Sequence, residues 1–344
     1  MTGHVLDVKN LTTHFETEEG TVKAVDGVSF HLDEGETLGI VGESGSGKSV
    51  TAMSVMGLVG NAGNVKRGTV RYEGEELLDR PESEMQSIRG NEIAMVFQDP
   101  MTSLNPTATV GQQIVRVIRT HQDLSKSQAR EKTIELMEQV GIPEPESRID
   151  NYPHQFSGGM RQRALIAMAI SCEPDVLIAD EPTTALDVTI EAQIFELLED
   201  LQEDYGMSVI LITHDLGVVA GTCDRVNVMY AGRIVEKANA RDLFTEPRHP
   251  YTRGLLRSIP ELRSDTDQLS PIEGNVPNPA SLPRGCSFHP RCPHVAEKCQ
   301  QHDPELREVV PEQEAACLRA EGYGTVSGVD GQPHESTVAD GGEE

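Results

Sequence analysis

Gly42-Glu43-Ser44-Gly45-Ser46-Gly47-Lys48-Ser49 lies between an apolar run, ETLGIVG, and a stretch over 48–58 that reads as a helix. The octet fits G-x-x-x-x-G-K-[ST], and the strand before it and the helix after it supply the context that gives the pattern meaning. Glycines let the loop curl until successive backbone N–H groups face a phosphate chain, and the helix N-terminus adds partial positive charge. Lys48 then reaches the β- and γ-phosphate oxygens, and the Ser49 hydroxyl is placed for Mg²⁺. The loop by itself predicts nucleotide binding and nothing more specific.

Working outward, the N-terminal segments VLDVKNLTTHF and TVKAVDGVSFHL alternate like strands, separated by acidic turns, and GTVRYEGEEL reads as a hairpin. From about residue 105 to 168 the pattern turns helical; Ser125 with Gln128 predicts a capping-box start, and Gly141 a stop. VLIAD and SVILITH are short apolar runs suited to parallel strands buried on both faces, with the helix-periodic IEAQIFELLEDLQEDY between them. VNVMYAGRIVEKA reads as a further hairpin. Proline becomes frequent after about 246, where the main domain is expected to end. The last twenty or so residues are Gly-rich, acidic and polar, and are expected to be disordered.

A second chemical feature sits at the end of VLIAD. Strand ends at the C-terminal edge of a parallel sheet are where ligands bind. Asp180 there suits the Mg²⁺ shell, and Glu181, one residue on and pointing elsewhere, can polarise an attacking water.

Further segments carry a resemblance. Phe156-Ser157-Gly158-Gly159-Met160-Arg161-Gln162-Arg163, Glu181-Pro182-Thr183-Thr184-Ala185-Leu186-Asp187, Gln98 in VFQDP and His214 in LITHD occur in the order of the motifs of ATP-binding cassette (ABC) ATPases. The resemblance implies an α/β P-loop ATPase with a mixed core sheet, an antiparallel β subdomain and a helical signature subdomain. It implies that Ser157, Gly158 and Gly159 bind the γ-phosphate of ATP held by an opposite subunit, and that Asp187 couples the two sites. His214 would contact the γ-phosphate and hold the attacking water, and Gln98 would touch Mg²⁺ or water and mark the groove where a membrane subunit docks. Three positions depart from the family pattern: Phe156, Met160 and Val50, the last leaving only a backbone N–H for the α-phosphate. Phe15 is the best candidate for stacking on adenine.

Gln98-Asp99-Pro100-Met101-Thr102-Ser103-Leu104-Asn105-Pro106, EPTTALDVTIEAQI and the tail segment RHPYTRGLL resemble the dipeptide/oligopeptide/nickel importer branch over about residues 4 to 318. That branch implies two membrane-spanning permease subunits, a second ATPase subunit (a heterodimer, with a homodimer open) and an extracytoplasmic solute-binding protein. Peptide is the expected solute, with nickel or another small solute as the alternative. A soluble ABC ATPase of DNA repair or translation is disfavoured, because the chain has no coiled-coil insert, tandem cassette or basic patch. The implied division is an ATPase domain over 1–250 with its helical part at about 100–170, a C-terminal domain over 251–320, and a tail over 321–344.

Cys286, Cys292, Cys299 and Cys317 are spaced C-x5-C-x6-C-x17-C. A disulfide is disfavoured in a reducing cytoplasm, structural zinc would normally show a closer Cys pair, and an iron–sulfur cluster tolerates wider loops. Unligated thiols are the remaining reading. The resembled family carries a [4Fe–4S] site in this region, which makes the cluster the leading expectation and Zn²⁺ its alternative. Cys172 and Cys223 read as buried thiols.

The net charge of −27 disfavours nucleic acid as a partner. The 8 Lys against 21 Arg, beside 56 acidic residues, resemble the composition of proteins from salt-loving archaea and read as adaptation to high salt. No stretch approaches the roughly 18–20 apolar residues of a membrane span, and no secretory signal is visible. The chain is therefore expected at the cytoplasmic face of the membrane, held there by its partners.

Overall fold

The computed structural model describes residues 3–322 apart from 19, 61–62, 185 and 259–271. The strands are β1 (His4–Thr17), β2 (Gly20–Asp33), β3 (Thr37–Val41), β4 (Gly63–Tyr72), β5 (Glu75–Glu76), β6 (Ile93–Val96), β7 (Val176–Asp180), β8 (Ser208–Thr213), β9 (Arg225–Tyr230), β10 (Arg233–Asn239), β11 (Arg307–Val310) and β12 (Gln313–Ala315). The helices are α1 (Lys48–Val55), α2 (Glu82–Ile88), α3 (Pro100–Ser103), α4 (Val110–His121), α5 (Lys126–Gln139) and α6 (Pro145–Arg148). They continue with α7 (Gly158–Ala169), α8 (Val188–Tyr205), α9 (Leu216–Thr222), α10 (Ala240–Thr245), α11 (Pro250–Arg257) and α12 (Glu297–Gln301).

Two sheets result. One is antiparallel, in the order β2-β1-β4-β5, and the other is mixed, in the order β11-β12-β10-β9-β3-β8-β7-β6. The strands β9, β3, β8, β7 and β6 of the second sheet pair in parallel. Alternate residues of a strand enter opposite cores: Leu177 and Ala179 of β7 join one hydrophobic cluster, Val176 and Ile178 the other. Val209 and Leu211 of β8 divide from Ile210 and Ile212 in the same way. Burial on both faces is why these strands read as unbroken apolar runs rather than as alternation.

The parallel strands all end on the same edge, and the loops leaving β3, β6, β7 and β8 carry the candidate site residues. The α/β architecture expected from the sequence is present: a mixed core sheet, an antiparallel sheet beside it, and a helical segment, α3 to α7, between β6 and β7. The capping box at Ser125 and Gln128 opens α5, and Gly141 closes it at φ 74°. Three details differ from expectation. Helix α1 stops at Val55 because Gly57 turns left-handed at φ 63°. Strand β4 begins at Gly63 rather than 68, since its polar first half is held by pairing with β1, Thr13 opposite Val65. The tail contributes β12 to the main sheet, Glu236 opposite Ala315. The segment expected to be disordered, 321–344, lies outside the described residues from 323 onward.

Ile178 has no exposed surface. Ile178→Ala leaves a cavity in the core it shares with Val176, Ile210 and Ile212 and is expected to cost about 2–5 kcal/mol. A urea denaturation midpoint matching wild type at unchanged slope would contradict that packing.

Candidate active site

The loop after β3 can curl only because glycine occupies its bends. Gly47 has φ 105°, and a Cβ there would lie 2.3 Å from the Ala24 carbonyl oxygen. A Cβ on Gly42 would come equally close, 2.3 Å, to the Met229 carbonyl oxygen. The curl turns the Lys48 ammonium back onto its own loop, where it donates to the carbonyls of Gly42 (2.8 Å) and Glu43 (3.2 Å). Burial pushes the Lys48 pKa down, against the pull of Glu181 and Asp180.

Asp180 and Glu181 leave β7 in different directions, for a backbone reason. Glu181 adopts φ 46°, a left-handed conformation uncommon for a residue with a side chain, and its N–H is anchored on the Ile212 carbonyl at 2.8 Å. Asp180 stays with the strand and accepts from the Ser49 hydroxyl at 2.9 Å. Burial raises its pKa. The Glu181 carboxylate turns into a ring of donors. Gln98 Nε2 donates to it at 2.8 Å, Thr184 Oγ1 at 3.1 Å, and His214 Nδ1 stands 3.5 Å away. Its Oε1 lies 3.8 Å from the Lys48 ammonium. The His214 interaction, followed by the charge of Lys48, lowers the Glu181 pKa despite partial burial, and Glu181 raises that of His214.

The residues fit a magnesium–nucleotide substrate. The glycine bends form a cradle that side chains would fill, and the Ser46 hydroxyl within the loop is buried without a protein partner. The Ser49 hydroxyl and Asp180 carboxylate form an adjacent oxygen pair of the kind Mg²⁺ takes.

Lys48, Ser49, Asp180, Glu181, Gln98 and His214 are thus brought together from four loops. Thr184 was not singled out from the sequence; the available signal was a hydroxyl three residues after Glu181. The other expected residues lie elsewhere. Ser157 caps α7, accepting from the Met160 N–H, and Gly158 and Gly159 pack closely on Leu186 and Ile190. Asp187 caps α8, accepting from the Ile190 N–H at 3.0 Å. Phe15 lies in β1 between Val22 and Gly63, its ring against Gly63. Val50 follows Ser49 on α1, and its carbonyl accepts from Ser54 Oγ.

The iron–sulfur expectation for the tail is corrected. Cys286, Cys292, Cys299 and Cys317 line one cavity with Phe288, Pro304 and Leu318. Among the described residues no cysteine belongs to a group of side chains spaced to share one metal ion. Nor do three of the sulfurs come within 4.8 Å of one another, as tetrahedral zinc would require. Burial pushes Cys286 and Cys317 up to about 11, so these are protonated thiols at neutral pH. Among the described residues the metal-sized group is His4, His31 and Asp33. His4 is already bonded to Asp33, and Arg225 and Lys237 act on His31 with charges that oppose a cation. Cys172 and Cys223 are buried free thiols, as expected.

Comparison with known proteins adds family information. Residues 25–184 match the family model described as ABC transporter, and 235–299 that described as oligopeptide/dipeptide transporter, C-terminal region. The chain is 52% identical over 303 residues to the oligopeptide transport ATP-binding protein AppD of Bacillus subtilis, covering 88% of this chain and 92% of that protein. It is 52% identical over 305 residues to the dipeptide transport ATP-binding protein DppD of Haemophilus influenzae, covering 89% and 92%. Among solved structures, it is similar to the dimeric ATP-binding cassette MJ0796 in a post-hydrolysis state bound to ADP and Pi. That likeness has a TM-score of 0.62 and 28% identity, over 69% of this chain and 99% of that one. The reading of high-salt adaptation is corrected by the same comparisons. Nothing in those similarities carries a sign of it, and the acidic surface stands as a source of hydration and self-repulsion.

The pKa directions at Glu181 and His214 fix a pH window. Glu181 lies below its ordinary 4.5, so its contribution to stability is present above 4.5 and is lost as pH falls through the folded value. His214 lies above its ordinary 6.5, so its contribution is full below 6.5 and is lost as pH rises through the folded value. The difference in melting temperature between wild type and His214→Ala should therefore be largest between pH 4.5 and 6.5. A difference that is flat with pH would show that the pair does not interact.

Proposed function

The chain belongs to the oligopeptide and dipeptide transport ATP-binding proteins of the ABC transporter family, and on that premise we propose how its site drives uptake of di- and oligopeptides through membrane subunits made by other chains. It is an ATPase, the energising subunit of an importer. The observation that carries the mechanism is the Glu181 carboxylate: ionised, and ringed by Gln98, Thr184 and His214 beside the Lys48 ammonium.

ATP lies along the loop from Gly42 to Val50, its phosphates met by backbone N–H groups and by Lys48, with Phe15 against adenine. Mg²⁺ supplies charge neutralisation at the β- and γ-phosphates, and Ser49, Asp180 and Gln98 are the residues that would hold it. Glu181, kept ionised by its donors, orients the attacking water and takes up its proton. His214 keeps that carboxylate aimed and approaches the γ-phosphate. Ser157, Gly158 and Gly159, at the start of α7, meet the ATP of an opposing subunit, and Asp187 links the two sites. The exposed hydroxyl and backbone N–H groups at that helix start support this reading.

The working assembly is two permease subunits, this chain and a second, similar ATPase, with an extracytoplasmic binding protein delivering the solute. Family members of this kind work with permeases and dimerise. No helix among the described residues is long and apolar enough to cross a membrane. Attachment at the cytoplasmic face is through those partners. We place the ATPase domain at 1–250, with helices over about 100–170, then a C-terminal domain at 251–320 and a tail at 321–344; one family match, 25–184, falls within the first, and the other, 235–299, begins inside it and runs into the second.

Glu181→Gln should retain MgATP binding and lose hydrolysis by about 10²–10⁴-fold. Normal turnover in that variant removes Glu181 from its role. For the solute, the chain reconstituted with its cognate permeases and binding protein in vesicles should accumulate labelled dipeptide only with MgATP. Accumulation of nickel instead, or stimulation by nucleic acid alone, would overturn the peptide reading.

A further inference from the structure

Glu43, the second residue of the phosphate-binding loop, is joined to the C-terminal tail. Arg291, in the tight turn His289–Arg291 of the cysteine-bearing segment, places both guanidinium nitrogens on its carboxylate, at 2.7 and 3.0 Å. The two residues are 248 apart in sequence. The Arg291 side chain is 4% exposed and is itself fixed by the carbonyls of Glu273 (3.1 Å) and Ile272 (3.2 Å). Its guanidinium stands 5.9 Å from the centre of the Tyr230 ring. From the same side, the Tyr251 hydroxyl of α11 accepts the Glu43 backbone N–H at 2.8 Å.

The third polar group of Glu43, its carbonyl, accepts from the Lys48 ammonium. One residue therefore spans from the tail to the lysine that meets the phosphates. Without Arg291, a partly buried carboxylate beside the loop would face the triphosphate unneutralised, and the Lys48 perch would lose its support from outside. A bidentate, buried Arg–carboxylate pair is the kind that fixes geometry rather than merely decorating a surface.

We infer that Arg291 is a positioning residue for ATP: through Glu43 it holds the phosphate-binding loop in shape and cancels a charge that would repel the nucleotide. This rests on the reading of that loop as the ATP site, and it makes the tail part of the nucleotide-binding machinery.

The test compares MgATP dissociation constants, KM and kcat for the full-length chain. Arg291→Ala should weaken MgATP binding and raise KM by about tenfold, with kcat at saturating ATP changed by less than about twofold. Adding Glu43→Gln to Arg291→Ala should recover part of the loss, because the unpaired charge is gone. Arg291→Lys, which keeps charge but not the fork, should fall between. Should Arg291→Ala not fold, Arg291→Gln is read in the same way. Wild-type KM in the folded variant, or no recovery in the double variant, overturns the inference while leaving the ATP site intact. Failure of the wild-type chain to bind MgATP overturns the site itself.

Discussion

A lysine ammonium taken almost wholly out of water is the constraint on which the site depends. Lys48 is 4% exposed, and an isolated charge so placed would surrender its proton. It is kept by two loop carbonyls and by the nearby carboxylates of β7. Those partners can be supplied only if the loop curls back on itself, which is why glycine stands at Gly42 and Gly47. They also require β7 to end level with β3 across the intervening β8. The sheet order, the glycine bends and the apolar strands are in this sense one solution to the placement of a single charge.

The same pocket divides two neighbouring carboxylates. Asp180 continues the strand into a dry setting and its pKa rises; Glu181 is swung by a left-handed backbone into a ring of donors and its pKa falls. Adjacent acids in opposite environments take different work: one is an oxygen ligand within reach of Ser49, the other a base that stays ionised. The strain of φ 46° at Glu181 is held by the N–H bond to Ile212, a residue of β8, whose following loop also delivers His214. One strand thus both stabilises the turn and orients the base it produces.

Most of this was legible in the sequence because it rests on local rules. The phosphate loop, the apolar runs of β7 and β8, the capping box at Ser125 and the stop at Gly141 each encode their geometry within a few residues. What was not legible depends on pairing at a distance. The first half of β4, Gly-Asn-Val-Lys-Arg, is too polar to announce a strand and becomes one only beside β1. The strands β11 and β12, Arg307–Val310 and Gln313–Ala315, are short; β12 is held by β10, and β11 by β12. Thr184 escaped notice because its partner, Glu181, is reached only after the left-handed turn. The cysteine spacing misled for a related reason: separation along the chain says nothing about how far apart the sulfurs lie in space.

The tail shows how such non-local pairing extends a small, proline-rich segment. It has little apolar surface of its own, but Phe288 is 2% exposed because it sits in the main core, edge-on to Tyr230 at 5.3 Å and beside Tyr251 at 5.4 Å. Behind it, the fully buried Glu236 of β10 accepts from the N–H groups of Arg248 and His249 and from Gln313 of β12. A buried carboxylate left unpaired would be costly, so the tail strand and α11 are needed to satisfy a residue of the main sheet. His249, pulled down to about 3 by burial, stays neutral and can accept the Tyr251 N–H at 3.1 Å. The tail therefore borrows its hydrophobic core from the nucleotide-binding sheet and returns hydrogen-bond partners to it. The stabilities of the two are linked through the aromatic cluster that adjoins the phosphate loop.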